Sequence, residues 1–256
     1  MAKKLGDLTY LNEDVLYLRN KRICEYDIVE GGYSISRNEG LLPTKFLRYL
    51  KTLDKKRRHI EIGKYAGEHK EFTKELFEGF RKYVTMFREE NLVEDDKVLS
   101  VKKDSITLYN SPIEQTRFGE HVEFTLREEA TSYMLLEKKE FFLNSKTGRF
   151  WFKGLDSEID IRDTLIEEIR KLMEFGEYKP KRFIFEYLRD LRQAYVTREL
   201  SHTYYRELNA VNSYKLQKEM MGHHVYLDVV NDDMIDELHI ESNYQHIIMP
   251  MMKIML

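Results

Sequence analysis

The stretch "DKVLSVKKDSITLYN", residues 96–110, sets two apolar runs around a charged centre. Val98, Leu99 and Val101 precede Lys102-Lys103-Asp104-Ser105; Ile106, Leu108 and Tyr109 follow. The pattern is that of two short strands joined by a tight turn. Hairpin turns of this length favour Asn-Gly or Asp-Gly, because their central residues need positive φ. Two lysines and an aspartate are poor turn formers by that standard. For a hairpin considered alone, a solvated charged tip is a sufficient account.

The flanking sequence gives the hairpin its setting. From residue 71, Phe72, Leu76, Phe80, Tyr83, Val84 and Phe87 recur at the spacing of one buried helix face. Further upstream, "RICEYDIVEGG", 22–32, alternates Cys24, Tyr26 and Ile28 with Glu25 and Asp27, which predicts a strand ended by Gly31-Gly32. A short helix before Gly40 and Pro43 follows. The segment "KFLRYLKTLDKKRR" then predicts a helix with Phe46, Leu50 and Leu53 on one face, ending in four basic residues. Residues 8–19 are a mixed lead-in. Downstream, strands are expected near 118–126, 131–143 and 149–154, the last two joined by "NSKTG". After Leu155 the period becomes helical. Leu165, Ile166, Ile169 and Met173 share a face, with Gly176 as the expected stop. Helices over 181–200 and 202–221 and an apolar, methionine-rich tail complete the chain.

This order implies an α+β fold, an antiparallel sheet backed by helices. The expected organisation is a domain over 1–175, with a helical excursion at 43–91, and a helical lobe over 176–256.

Composition narrows the function. The 256 residues are 42% hydrophobic and 34% charged, with a net charge of −3, so any nucleic-acid surface must be local. The single cysteine, Cys24, excludes an internal disulfide and a cysteine-rich zinc site. No His-Glu-x-x-His spacing occurs. The start, "MAKKLGDLTYLNEDV", lacks the apolar core of a signal peptide, and no run has the length of a membrane span. A cytoplasmic protein without membrane attachment is expected.

Two carboxylates are candidates for chemistry. Asp27 ends the first predicted strand and Asp104 sits at the hairpin tip. If that strand lies beside the hairpin, both reach one sheet edge, where paired carboxylates hold divalent cations that align a nucleophile with a phosphate. Two turn aspartates without a chemical role are the plain alternative. Lys55, Lys56, Arg57, Arg58 and Lys64 fall between them and suit a triphosphate or nucleic-acid backbone. Equally, lysine and arginine gather at helix C-termini, where the dipole is negative.

With these residues in order, the chain resembles the palm of family B DNA polymerases. That family's hairpin motif, in a setting such as "VIYGDTDSIFV", is matched by "VLSVKKDSITL", 98–108; the family's first aspartate is replaced by Lys102 and the second is kept as Asp104. Its "DFNSLYPSII" motif is matched by "EYDIVEGGYSIS", offering Asp27, Tyr33 and Ser34 with a one-residue insertion. The resemblance implies a ferredoxin- or RRM-like palm sheet followed by a thumb-like lobe. It further implies that Asp27 and Asp104 are catalytic metal ligands for Mg²⁺ or Mn²⁺, and that Tyr33 and Ser34 lie at the incoming nucleoside triphosphate. The lysine that precedes the family's "NSxYG" is poorly matched by Arg58 before "IGKYAG", so Arg58 and Lys64 are the triphosphate candidates. The family's "KKRYA" and "VKGLEVVRRDW" are echoed by "EKKEFF" and "FKGLDSEIDIRD". By this likeness Lys102, Lys103, Lys138, Lys139, Lys153, Lys181 and Arg182 would face nucleic acid, with DNA the expected partner. Palm-like bacteriophage proteins with "YDI" and "KKDS" signatures are similar in pattern. The exonuclease domain and full fingers are missing.

Two functions follow from the resemblance. One is a minimal phage polymerase-like enzyme that adds nucleotides to a 3′ end. The other is a palm-like relic that binds nucleic acid or serves as a structural or regulatory subunit; Lys102 and the weak lysine motif favour it. The apolar end, with Met251, Met252 and Leu256, suits a protein partner.

Overall fold

The computed structural model describes residues 5–136, 138–154 and 163–200. They form two compact units. The first comprises the described residues up to Asp14 together with Lys21–Glu129; the second comprises Val15–Asn20 and the described residues from Ala130 onward. The expected boundary at 175/176 falls inside a helix. The class is α+β, with antiparallel sheets backed by helices, as the element order implies.

The lead-in contributes a strand to each unit: β1 (Thr9–Leu11) to the first and β2 (Tyr17–Leu18) to the second. The first unit continues with β3 (Ile23–Ile28), α1 (Gly31–Asn38), α2 (Thr44–Lys51), α3 (Lys55–Glu68), α4 (Lys70–Glu90), β4 (Val98–Lys102), β5 (Ser105–Tyr109), β6 (Arg117–Phe118) and β7 (Val122–Ala130). Its sheet runs β1-β4-β5-β3-β7-β6. β5 is antiparallel to both β3 and β4, so β3, the helices and β4 form a split βαβ unit with β5 inserted between the parallel pair. This topology sets the end of β3 beside the hairpin tip.

The predicted inward face of β3 is observed, but the strand is covered on both sides, since Ile23 and Glu25 are buried too. Cys24, Tyr26 and Ile28 enter a core filled by Phe72, Leu76, Phe80, Tyr83, Val84 and Phe87 of α4. Phe87 is fully buried, with its ring centroid 4.3 Å from that of Phe124 and 5.3 Å from that of Tyr26. Burial of each such side chain stabilises the unit by about 1.5–3 kcal/mol.

One helical expectation is corrected. "KFLRYLKTLDKKRR" is two helices, because Asp54 caps a new one: its carboxylate accepts the Arg57 backbone N–H at 2.9 Å. The basic run therefore stands in the first turn of α3, at the positive end of the helix dipole, not at a C-terminus.

In the second unit, the expected strand over 131–143 is a hairpin, β8 (Ser132–Leu136) and β9 (Lys139–Asn144), turning at Lys138 with φ 64°. β10 (Arg149–Lys153) follows, and the sheet order is β10-β9-β8-β2. Met134, Leu136, Phe141 and Leu143 pack against α5 (Asp163–Tyr178) and α6 (Lys181–Val196) through Ile169, Leu172, Met173, Ile184 and Leu188. Gly176 does not stop α5. A Cβ there would collide with the Tyr17 hydroxyl, so glycine is needed for close packing. The helix expected over 202–221 and the apolar tail lie outside the described residues. Among those residues, no helix is long and apolar enough to cross a membrane.

Candidate active site

The sheet register brings the two aspartates to one edge. Asp27 pairs with Ser105, the residue after Asp104, and the Ile28 N–H donates to the Asp104 carbonyl at 2.9 Å. The hairpin tip is the two-residue turn Lys103-Asp104, closed by the Lys102–Ser105 pair. Lys103 takes the left-handed conformation, φ 55°, that its side chain disfavours. Its N–H donates to the Leu8 carbonyl at 2.7 Å, so the strained turn is held from outside.

Both carboxyls are half-buried and their proton affinities report it. Burial first, then the Asp104 charge, pushes the Asp27 carboxyl up to about 6, against Arg127. Burial also raises Asp104, against its own backbone N–H and the charges of His59, Lys103 and Arg127. Adjacent half-buried acids disfavour double ionisation unless a cation joins them. Arg127, on β7, is a resident counter-charge: its Nη1 donates to Asp27 Oδ2 at 3.4 Å.

The turn into α1 completes the edge. Glu30 is left-handed at φ 47° and accepts the Tyr33 and Ser34 N–H groups on its carbonyl. Gly31 is required by proximity: a Cβ there would stand 3.1 Å from Asp104 Oδ2 and 2.9 Å from Phe80 Cε1. Ser34 Oγ donates to the Val29 carbonyl at 2.6 Å, so this hydroxyl braces the turn. Tyr33 is buried under the Arg58 guanidinium, 4.7 Å from the ring centroid, and Arg58 pairs with Glu30 at 3.3 Å.

The other candidates divide by location. Lys64 is exposed and pairs along α3 with Glu61 at 2.8 Å. Lys102 is half-buried in β4, with Thr9 and Ser105 as its strand partners. Lys138 and Lys139 stand at the β8–β9 turn of the second unit. Lys153 ends β10 with its Nζ 5.2 Å from the Phe142 ring centroid. Arg182 pairs with Glu186 at 2.8 Å, and the Lys181 side chain lies outside the described residues.

Three contributors escaped the sequence reading. Glu30 was hidden because nothing in "VEGG" signals a left-handed glutamate. His59 sits behind the basic run whose helix was misplaced. Arg127, in "TLREEA", looks like any solvated residue of a strand; only the β3–β7 neighbourhood gives it a role.

A divalent cation fits this donor set under one condition. Mg²⁺ is commonly held by one or two carboxylates plus water and substrate phosphates. Asp27 and Asp104 can supply that pair. Among the described residues, no group of three or more His, Cys, Asp or Glu side chains could hold a metal. A phosphate ligand carried by the ion would supply donors beyond these two carboxylates.

In comparison with known proteins, residues 1–256 match the family model described as Bacteriophage PBS1 gene 130 protein. No curated protein matches.

Proposed function

The chain belongs to the bacteriophage PBS1 gene 130 protein family, and from that premise we propose that this phage protein carries a minimal palm-type nucleotidyl-transfer site. Its ligands are a nucleoside triphosphate, Mg²⁺ or Mn²⁺ and a nucleic-acid 3′ end, with DNA as the partner. One observation carries the reading: Asp27 and the hairpin-tip Asp104 lie on adjacent strands, joined by the 2.9 Å Ile28-to-Asp104 backbone bond, inside a split βαβ unit.

Each residue has a part. Asp27 and Asp104 would hold the cation, which would supply neutralisation of phosphate charge. The primer 3′-hydroxyl oxygen attacks the α-phosphorus and its proton passes to water; the bond to the β-phosphate oxygen breaks and pyrophosphate leaves with that electron pair. The first turn of α3, with Lys55 and Arg58, offers cations to the triphosphate. Tyr33, held under Arg58, is the proposed neighbour of the sugar, while Ser34 braces the turn. Lys64 takes at most a peripheral part, given its partner on α3. Lys102, Lys103, Lys138, Lys139, Lys153, Lys181 and Arg182 are the proposed contacts to nucleic acid.

The test uses purified full-length chain, primed templates, labelled nucleotides and Mg²⁺ or Mn²⁺. Incorporation that vanishes in both Asp27→Ala and Asp104→Ala supports the reading. Absence of incorporation on every template, with no cation bound at millimolar concentration, refutes it.

The 3.4 Å Arg127–Asp27 contact favours a second reading, a palm-like nucleic-acid-binding or structural subunit without chemistry. In that case the guanidinium is a permanent substitute for the cation. Nucleic acid would be retained equally by the native chain and by Asp27→Ala, with no incorporation by either.

A further inference from the structure

We propose that Arg127 is a positioning residue that makes the acidic edge accept cation and phosphate together and resist the bare cation. This inference rests on the proposed nucleotidyl-transfer site and assigns to it a selectivity that the aspartates alone do not provide.

The geometry supplies the argument. The guanidinium lies 3.4 Å from Asp27 Oδ2, at the distance of a loose ion pair and not of a short bidentate clamp. The Arg127 side chain is 60% exposed whereas that of Asp27 is 29% exposed, so the arginine can leave without opening the core. Its strand is fixed to β3 independently, through the Val29 N–H donating to the Glu123 carbonyl at 2.9 Å. The backbone therefore stays in place when the side chain swings.

A bare divalent cation at Asp27 must approach a fixed positive charge and displace it into water. A cation carrying a triphosphate meets a different balance. The displaced guanidinium gains phosphate oxygens, for which its planar fork of donors is suited. Arg127 thus opposes one ligand and supports the other. Lysine at this position would oppose the bare cation by charge while offering a poorer fit to phosphate.

The decisive experiment measures two affinities in three proteins. Mn²⁺ alone is titrated by electron paramagnetic resonance, and fluorescent dATP is titrated by anisotropy at saturating Mn²⁺. Arg127→Gln should bind Mn²⁺ alone about tenfold more tightly and the Mn²⁺-loaded nucleotide about tenfold more weakly. Arg127→Lys should leave Mn²⁺ affinity near native while weakening the loaded nucleotide. Opposite shifts in one variant do not arise from general structural damage, which weakens both ligands. If Arg127→Gln moves both affinities in the same direction, or neither, the selectivity assigned to Arg127 is wrong while the site itself survives. If native chain and Arg127→Gln both fail to bind Mn²⁺ and nucleotide, the site reading fails and this inference with it.

Discussion

Two hairpins in this chain are built by opposite means. In β9–β10 the turn closes itself. The Asn144 carboxamide oxygen accepts the Lys146 and Thr147 N–H groups at 3.1 and 3.2 Å, its carbonyl accepts the Gly148 N–H at 2.8 Å, and Gly148 takes φ 70° where glycine is unstrained. In β4–β5 the tip is held by its neighbours. Lys103 is left-handed without being glycine, tied to Leu8, while Asp104 is tied to Ile28. A self-closing turn needs specific residues and leaves nothing over for chemistry. A turn clamped from outside can accept unfavourable residues, and the strain marks where a side chain was kept for another reason.

The largest effect should come from making the first hairpin resemble the second. Replacing the tip with Asn-Gly (Lys103→Asn with Asp104→Gly) should abolish Mn²⁺ binding and nucleotide incorporation. Its stability should change by no more than about 1 kcal/mol, because asparagine tolerates the left-handed backbone at position 103 better than lysine does. Loss of the fold, seen by circular dichroism, would mean that the tip is structural after all.

A smaller effect concerns proton linkage at Asp27. Its folded carboxyl holds a proton up to about 6, whereas an unfolded aspartate releases it near 4. The folded state therefore loses stability as pH rises through that interval and is level above it. Asp27→Asn lacks this loss and should be about 1–2 kcal/mol more stable above pH 6.5, discounting for its partial exposure; below pH 4 the advantage should vanish. Denaturant titrations across pH 3.5–7.5 measure the difference. A pH-independent gap would assign the effect to packing.

Two single substitutions at the turns should give opposite signs. Gly148→Ala, forced into a left-handed backbone, should cost about 1 kcal/mol and leave Mn²⁺ affinity unchanged. Lys103→Gly should stabilise by about 0.5 kcal/mol, since relief of strain exceeds the added chain entropy. Equal signs in thermal melts would erase the contrast between the turns.

Much of the first unit was legible because its signals are periodic. The α4 stripe from Phe72 to Phe87 and the alternation of Cys24, Tyr26 and Ile28 each follow from one buried face. The pairing of β3 with β5 entered the sequence reading only as a condition; the sheet supplies it. Capping chemistry was less visible. Asp54 is in plain sight, yet the apolar period of Phe46, Leu50 and Leu53 runs into it without a break, and that pattern carries four cations to the wrong helix end. "EKK" hid a turn because Lys138 adopts positive φ without glycine. Arg127 could not be found by spacing, since its role depends on a strand that returns a hundred residues after Asp27. Gly176 carried the right residue type for a helix stop but serves the Tyr17 ring.

The division of the lead-in between sheets has a temporal consequence. β2 pairs with β8 through Tyr17 with Met134 and Leu18 with Tyr133, about 115 residues apart. At synthesis rates of about 5–20 residues per second, β2 emerges from the ribosome roughly 6–23 s before its partner. Through that interval the first unit can gather β3, α4 and the acidic hairpin while a two-residue strand near its start stays unmatched. Nascent-chain folding should therefore occur in two steps, and the second step cannot begin until the 130s have been translated.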